Sequence, residues 1–531
     1  MHNRPRTRTL PGLILAACLA GIALPAAAAD YGVQVGAFTD ADNAQRLRLR
    51  LLNQGYAPVQ VLPLISGNHD YNAVVVGRLP NQAEAAALLN RLRGSFQSGF
   101  IRPLPEPTEP ETAAPAPSTP APDQPAAPDA PTVIAPAPSR PAAPAPEATT
   151  ESDVYQDWSG YVALETRVFP RDGRYPDQHD GPNFSLAFEP EYYREWDNGD
   201  QSFTFRPFLR LDQQDDERTH FDIRELAWIR AAEDWELRVG VRRVFWGVTE
   251  TVHLVDIINQ TDLVENTDTE DRLGQPMINL ALIRDWGTLD LFVLPGFRPR
   301  TFPGPDGRLR TQPYVDTEQV EYESGARHLH TDAAVRWSRY FGPFDIGVAH
   351  FWGTGRDPVL QAGTDGAGNP VLTPYYPIIN QTSLDLQATL GGWLWKLEWL
   401  TRGGQDERFE AAAGGFEYTL YGILDSRADL GLLAEYLYDS RDDTAPTLFQ
   451  DDLMLGLRWT PNDVHSTELL FGVVFDENGD QRFYNLEASR RFGSQWKLSL
   501  EARATSNLEA SDTLGSIRDD DYLQMEFAYY Y

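Results

Sequence analysis

The side chains that could do chemistry in this sequence are scattered, and they form no recognisable catalytic motif. His328 and His330 alternate along one predicted strand and could supply half of a metal site, but no pair of acids accompanies them. We find no Gly-x-Ser-x-Gly sequence, no His-Glu-x-x-His sequence and no phosphate-binding loop. The sequence therefore predicts no enzymatic activity, no metal and no cofactor.

A different chemistry, the recognition of sugars, is indicated near the start of the chain. The stretch at 31–38 reads YGVQVGAF, so Val33 and Val35 face one side of a strand while Gln34 faces the other. An amide between small residues can hydrogen-bond sugar hydroxyls, and neighbouring aromatic rings can stack on pyranose faces. The residues predicted to bind glycan on this open face are Tyr31, Gln34, Gly36, Phe38 and Tyr71.

The elements that position these residues form a small α+β domain over residues 30–102. Apolar alternation predicts strands at 31–38, 58–64, 71–79 and 100–101. Helical spacing predicts helices at 41–53 and 83–92, which gives the order βαββαβ. About 70 residues are enough for such a domain to fold on its own.

This module resembles the SPOR family. The resemblance rests on YGVQVGAF at 31–38, the Gly55-Tyr56 turn, YNAVVVG at 71–77 and the helix start at Ala83. It implies binding to peptidoglycan, with a preference for glycan strands stripped of their peptides, as found near division septa. The family's glutamine falls on Gln34. SPOR modules commonly lie at the C-terminus, whereas this one comes first.

The segments on either side of the module are a leader and a linker. Residues 1–29 have a basic start, an apolar stretch and Ala27-Ala28-Ala29, which is typical of a secretory signal peptide. A lipoprotein cleavage site at Cys18, the single cysteine, is the alternative. Residues 103–152 are rich in proline and alanine and predict an extended linker with a reach of at most about 150 Å.

The remaining residues, 153–531, predict an all-β transmembrane barrel. Strict alternation marks the last stretch, in which every second residue is apolar: Leu523, Met525, Phe527, Tyr529 and Tyr531. It suits the closing strand of an outer-membrane barrel and resembles the C-terminal signal that the barrel assembly machinery recognises. The same pattern earlier in the chain predicts about 18 antiparallel strands, or 16 if weak strands at 221–231 and 416–424 are mis-split.

The connections support this interpretation, because short turns after even-numbered strands alternate with long loops after many odd-numbered strands. The net charge of −32 argues against nucleic acid as a partner, since phosphate binding needs a basic surface. After residue 29 there is no apolar run of about 18 residues, which excludes membrane-spanning helices. The architecture vaguely resembles porins and exopolysaccharide-export barrels.

Polar residues between the apolar positions should face the lumen. Those predicted to line a pore are Arg206, Arg210, Arg238, Arg242, Arg336, Lys396, Glu487, Glu501, Arg503 and Glu526. The segment 242–259 is too apolar for an exposed outer loop, so we expect either a constriction or plug folded into the lumen, or a strand end packed over its neighbour.

Two functions are consistent with these features. The first is an outer-membrane channel whose periplasmic SPOR module binds peptidoglycan glycan strands. The second is a structural tether between outer membrane and wall that acts at division sites through a plugged, non-conducting barrel. Membrane lipid, the barrel assembly machinery and peptidoglycan are the expected partners. The transported substrate is left open.

Overall fold

The computed structural model describes two folded regions of the chain. The described residues are 31–38, 47–48, 51, 56, 58–66, 69–79, 85, 88, 100–104 and 154–531, except 443–444, 446, 448, 477–479 and 511–514. The predicted leader, nearly all of the predicted linker and most of both predicted helices lie outside these residues.

The N-terminal region contains a four-stranded antiparallel sheet with the order β2-β3-β1-β4. Its strands are β1 (Tyr31–Phe38), β2 (Val59–Ser66), β3 (His69–Leu79) and β4 (Phe100–Pro103). Val33 and Val35 pack with Leu51 and Leu88, which are helical residues, and thereby form the core on one side of the sheet. The four predicted strands are therefore present within one or two residues of their expected bounds.

The second region is a closed barrel, in which eighteen of the described strands pair antiparallel with their neighbours. The barrel strands are β5 (Tyr155–Val168), β6 (Asn183–Trp196), β7 (Gln201–Asp212), β8 (His220–Ala231), β9 (Trp235–Arg242), β10 (Gln275–Arg284), β11 (Gly287–Pro295), β13 (Thr331–Phe341), β14 (Phe344–Thr354), β17 (Ile378–Leu390), β18 (Trp393–Gly404), β19 (Asp406–Leu420), β20 (Asp429–Asp439), β21 (Asp451–Thr460), β22 (Glu468–Asp476), β23 (Arg482–Phe492), β24 (Trp496–Ser506) and β25 (Tyr522–Tyr530). The last strand, β25, pairs with both β24 and β5 and closes the ring. The prediction of eighteen strands is confirmed.

The alternation of side chains gives the barrel an apolar outer face. On β25, Leu523, Met525 and Phe527 are exposed, whereas Gln524 and Glu526 between them face inward and are less accessible. The same alternation places Leu455 and Leu457 of β21 on the outside. Within the part of the chain that the structure describes, no helix is both long and apolar enough to cross a membrane.

The two ends of the barrel carry different connections. Turns such as 285–286, 342–343 and 391–392 join strands at one end. Longer segments join strands at the other end, and two of them contribute a small sheet of order β12-β16-β15, formed by β12 (Glu321–Tyr322), β15 (Val359–Thr364) and β16 (Pro370–Tyr376). The sequence predicted only loops there. Short 3-10 turns lie at Asp197–Gly199, Asp216–Arg218, Arg327–Leu329, Ile423–Asp425 and Gly515–Ile517.

Candidate functional site

The barrel lumen is crossed by residues 243–274, the connection between β9 and β10, which we call the inner loop. Although β9 and β10 are neighbours, the inner loop bonds to β18 and β20 on the far side of the ring. Further along, it bonds to β7 and β24. The inner loop therefore spans the lumen, as the inward-folded alternative predicted.

Apolar packing explains why the inner loop carries so many hydrophobic residues. Trp246, Val255 and Ile258 are at most 6% exposed and form a cluster with Phe292 of β11 and Phe351 of β14. Each of these wall residues faces the lumen. Burying large side chains in this way stabilises the inner loop by roughly 1.5–3 kcal/mol per residue before entropic costs. The apolar sequence thus indicates a packed segment inside the barrel.

Glu398 of β18 is the principal polar anchor of the inner loop. Its carboxylate is fully buried and accepts hydrogen bonds from the backbone amides of Val248 at 2.6 Å, Thr249 at 3.0 Å and Val255 at 3.1 Å. The Thr249 hydroxyl donates a fourth bond at 2.8 Å. A charged acceptor satisfies these buried donors, which otherwise would each cost about 1–3 kcal/mol.

A second anchor lies two strands further round, at Glu435 of β20. Its carboxylate accepts from the backbone amides of Glu250 at 2.8 Å and Thr251 at 2.9 Å. The Glu250 side chain in turn pairs with Lys396 at 3.1 Å and Arg458 at 2.7 Å. Burial alone would raise the pKa of Glu250, but Arg458 and Lys396 outweigh burial and hold the pKa well below its ordinary value.

The other half of the inner loop is held by ion pairs to a different part of the wall. Glu265 accepts hydrogen bonds from Arg210 of β7 at 2.7–3.0 Å. Asp268 pairs with Arg503 of β24 at 3.1 Å. Charges on the barrel wall and on the inner loop are therefore complementary, and the loop is fixed at both ends of its path across the lumen.

A cavity of about 1280 Å³ remains between the inner loop and the wall. The loop contributes Val252 and Leu254 to its lining, and the wall contributes aromatic rings such as Phe409 and Phe483. Charged residues of both signs complete the lining, and Arg441 is one of the arginines. The Arg441 guanidinium lies 3.5 Å from the Phe409 ring centroid. The cavity is thus amphipathic, with apolar and charged surfaces in one space.

The ten residues predicted to line a pore all project from the inner face of the barrel. Many of them are paired: Arg206 with Glu191, Arg238 with Asp290 and Arg336 with Asp385. Lys396, Arg210 and Arg503 bond to the inner loop, and Glu501 accepts a bond from its Asn266. Arg242, Glu487 and Glu526 lie on the same face. Most of these charges hold other side chains, so their role in conduction stays a prediction.

The predicted glycan face is more enclosed than the sequence indicates. Gln34 lies on the side of β1 opposite Val33, as expected, but its residue is only 5% exposed. Val75, its cross-strand partner, packs with Leu104 on the same side of the sheet. The expectation of an open face around Gln34 is therefore wrong, because the chain leaving β4 places Leu104 there.

The other predicted glycan-binding residues are described only in part. Tyr31 is half-buried at the start of β1, opposite Leu79. Gly36 and Phe38 are paired through their backbones with Val74 and Asn72 of β3. The surroundings of Gly36 and the side chains of Phe38 and Tyr71 lie outside the described residues. Their contribution to binding stays a prediction.

The histidine pair considered in the sequence does not share a strand. His328 lies in the 3-10 turn Arg327–Leu329, and β13 begins only at Thr331. His330 Nδ1 lies 2.8 Å from Asp332 Oδ1. The interpretation that the two histidines share one strand face is wrong, because neither residue belongs to β13.

Comparison with known proteins identifies the N-terminal module. Residues 27–103 match the model of the SPOR domain. The protein therefore carries a SPOR domain ahead of a closed 18-stranded antiparallel barrel. No curated protein matches the chain.

Several solved structures are similar to the barrel at low identity. Pseudomonas aeruginosa OpdQ is 11% identical with a TM-score of 0.40, and the match covers 71% of this chain and 97% of that one. Vibrio cholerae OmpT is 10% identical with a TM-score of 0.36, covering 72% and 99%. A triple mutant of Rhodopseudomonas blastica porin is 10% identical with a TM-score of 0.37, covering 71% and 100%. At these values the similarities carry no inference about what the barrel does.

Proposed function

We propose that this protein is an outer-membrane channel, narrowed by its inner loop and tethered to the cell wall by its SPOR domain. The observation that carries the channel is the cavity of about 1280 Å³ beside the inner loop, inside a closed barrel. The apolar outer face supports a lipid environment, since a closed barrel leaves no unpaired sheet edge in the membrane.

The connections of the barrel support one orientation in the membrane. Barrels of this type have short periplasmic turns and long outer loops. The first residues of β5 and the last residues of β25 lie at the end that carries the short turns. This arrangement supports a periplasmic location for the SPOR domain, from which a linker of up to about 150 Å can reach peptidoglycan.

Wall binding is tested with purified sacculi and the full-length mature protein. We expect the protein to sediment with sacculi, and the chain that lacks residues 31–103 to remain in the supernatant. Tyr31→Ala should reduce the bound fraction because a stacking ring is lost, whereas Gln34→Ala should have a smaller effect because Gln34 is only 5% exposed. Tyr56→Phe is the control, since Tyr56 packs on the side of the sheet opposite Gln34. Undiminished binding by Tyr31→Ala would contradict this glycan-binding role.

A non-conducting tether is the second candidate, and the anchoring of the inner loop favours it. Hydrogen bonds to Glu398 and Glu435 fix the loop across the lumen. In that case the barrel serves as a membrane anchor and the SPOR domain carries the function. Single-channel recording separates the two candidates, because a tether should give no conductance steps although it still binds sacculi.

A further inference from the structure

A histidine and two carboxylates meet where the inner loop touches the barrel wall. His220 begins β8, while Asp262 and Glu265 belong to the inner loop. The three side chains each offer one ligand atom, and these atoms lie within 4.8 Å of one another. His220 Nε2 is 3.4 Å from Asp262 Oδ2 and 3.5 Å from Glu265 Oε1.

The hydrogen bonding of His220 fixes which ring nitrogen faces the carboxylates as an acceptor. Its Nδ1 lies 3.0 Å from the backbone carbonyl oxygen of Arg218, which can only accept, so Nδ1 carries a proton. In the neutral ring, Nε2 then presents a lone pair. Nε2 is buried and makes no hydrogen bond, and the buried Asp262 Oδ2 is paired with the Arg224 guanidinium at 2.8 Å.

The two distances from His220 Nε2 to the carboxylate oxygens fit shared binding of a metal ion better than they fit hydrogen bonds. Distances of 3.4 and 3.5 Å exceed the 2.7–3.2 Å of an N–H···O hydrogen bond. A tetrahedral ion with bonds of about 2.0–2.1 Å holds its ligand atoms about 3.3–3.4 Å apart. A ring N–H donated to a backbone carbonyl is also the usual support of a metal-binding histidine.

We propose that His220, Asp262 and Glu265 bind one divalent transition-metal ion of the zinc class, which fastens the inner loop to β8. Imidazole and carboxylate ligands suit such ions, and three protein ligands leave one tetrahedral position for solvent or another donor.

Neighbouring guanidinium groups leave one lone pair free on each of the two ligand oxygens. Glu265 Oε1 accepts one bond from Arg210 at 2.8 Å, and Arg224 lies 2.8 Å from Asp262 Oδ2. Each carboxylate oxygen has two lone pairs, so one remains on each. The Thr301 hydroxyl donates to the other Asp262 oxygen at 2.8 Å and fixes the orientation of the carboxylate.

The experiment is a Zn²⁺ titration of the full-length mature protein, folded in detergent and stripped with a chelator. We expect one ion per chain by calorimetry and by elemental analysis. Co²⁺ in place of Zn²⁺ should give the visible absorption of a tetrahedral site. His220→Gln should weaken binding by more than about 100-fold, since loss of even an outer partner costs 10- to 100-fold. His328→Gln is the matched control, because its ring is exposed in a surface turn, and it should bind as the unaltered protein does.

Folding is checked separately by the heat-dependent shift of the barrel on gels, so a lost site is not confused with a lost fold. Absence of stoichiometric Zn²⁺ from the folded protein would overturn the proposal. Equal affinity in folded His220→Gln would overturn it too. Nitrogen NMR showing both ring nitrogens of His220 protonated in excess Zn²⁺ would replace the metal with an imidazolium ion pair. None of these outcomes depends on conductance.

Discussion

Replacement of Glu398 by alanine should release the inner loop from the far wall of the barrel. The substitution removes the acceptor of four hydrogen bonds, three of them from the backbone amides of Val248, Thr249 and Val255. Each buried amide left without a partner costs about 1–3 kcal/mol, so the seated loop should lose at least about 3 kcal/mol. Because 1.4 kcal/mol is a factor of ten, displaced conformations should become more than about 100-fold more populated.

The assay is single-channel recording of the full-length protein in planar bilayers. Glu398→Ala should spend more time in a state of higher conductance than the unaltered barrel. Glu398→Gln keeps one carbonyl acceptor, so it should increase the population of displaced loop conformations only about tenfold. Glu236→Ala is the control, since Glu236 pairs with Arg238 on its own strand and not with the inner loop. Dwell times in folded Glu398→Ala that match the unaltered protein would refute the anchoring role.

Two other predictions concern the charges inside the barrel and the apolar face outside it. Arg458 and Lys396 hold the pKa of Glu250 in the folded protein below its ordinary value of about 4.3. The pairing therefore stabilises the seated loop fully above about pH 4.3, and this stabilisation is lost as the pH falls through the depressed pKa. The time spent in the high-conductance state should therefore increase below about pH 4. Glu250→Gln should show this increase already at pH 7, and its dwell time should depend little on pH. A pH profile of Glu250→Gln identical to that of the unaltered protein would contradict the role of Glu250. On β23, Leu486→Arg faces lipid and should destabilise the barrel by about 2–4 kcal/mol in urea unfolding from liposomes. Its neighbour Asn485 lines the cavity, so Asn485→Arg should have little effect, and equal destabilisation by both would contradict the assigned faces.

The strands could be predicted from sequence because lipid and lumen impose opposite chemistry on successive residues. On β18, Trp393, Trp395 and Leu397 alternate with Lys396 and Glu398, and the strand follows this pattern. The alternation of side chains along β8 was ambiguous for a local structural reason. A bulge opposite Arg206 and Pro207 of β7 shifts the alternation, so that one fixed period cannot describe the whole strand.

The site was only partly predictable. The apolar composition of 242–259 indicated an inward fold, because solvent does not favour so many exposed hydrophobic residues. The anchors were missed, since Glu398 lies more than 140 residues from the amides it binds. An acid at a lumen position looks like any solvated charge until the partner segment is placed beside it. The grouping of His220 with Asp262 and Glu265 depends on the same tertiary placement.

The enclosure of Gln34 has a similar origin. Alternation in β1 correctly separates Gln34 from Val33, but it cannot say what covers each side of the sheet. The residue that closes the second side, Leu104, comes after the last strand of the domain and has no periodic signal of its own.

A comparison of conductance with and without the inner loop shows whether the barrel is a channel that this loop narrows. The measurement is single-channel conductance of the full-length protein and of the chain that lacks residues 248–271, both verified as folded barrels. We predict discrete steps from the unaltered protein and larger steps from the deletion, because the segment crossing the lumen is gone. Equal conductance in the two chains would contradict the constriction, and silence from the unaltered protein with conductance steps from the deletion would favour the plugged, non-conducting tether.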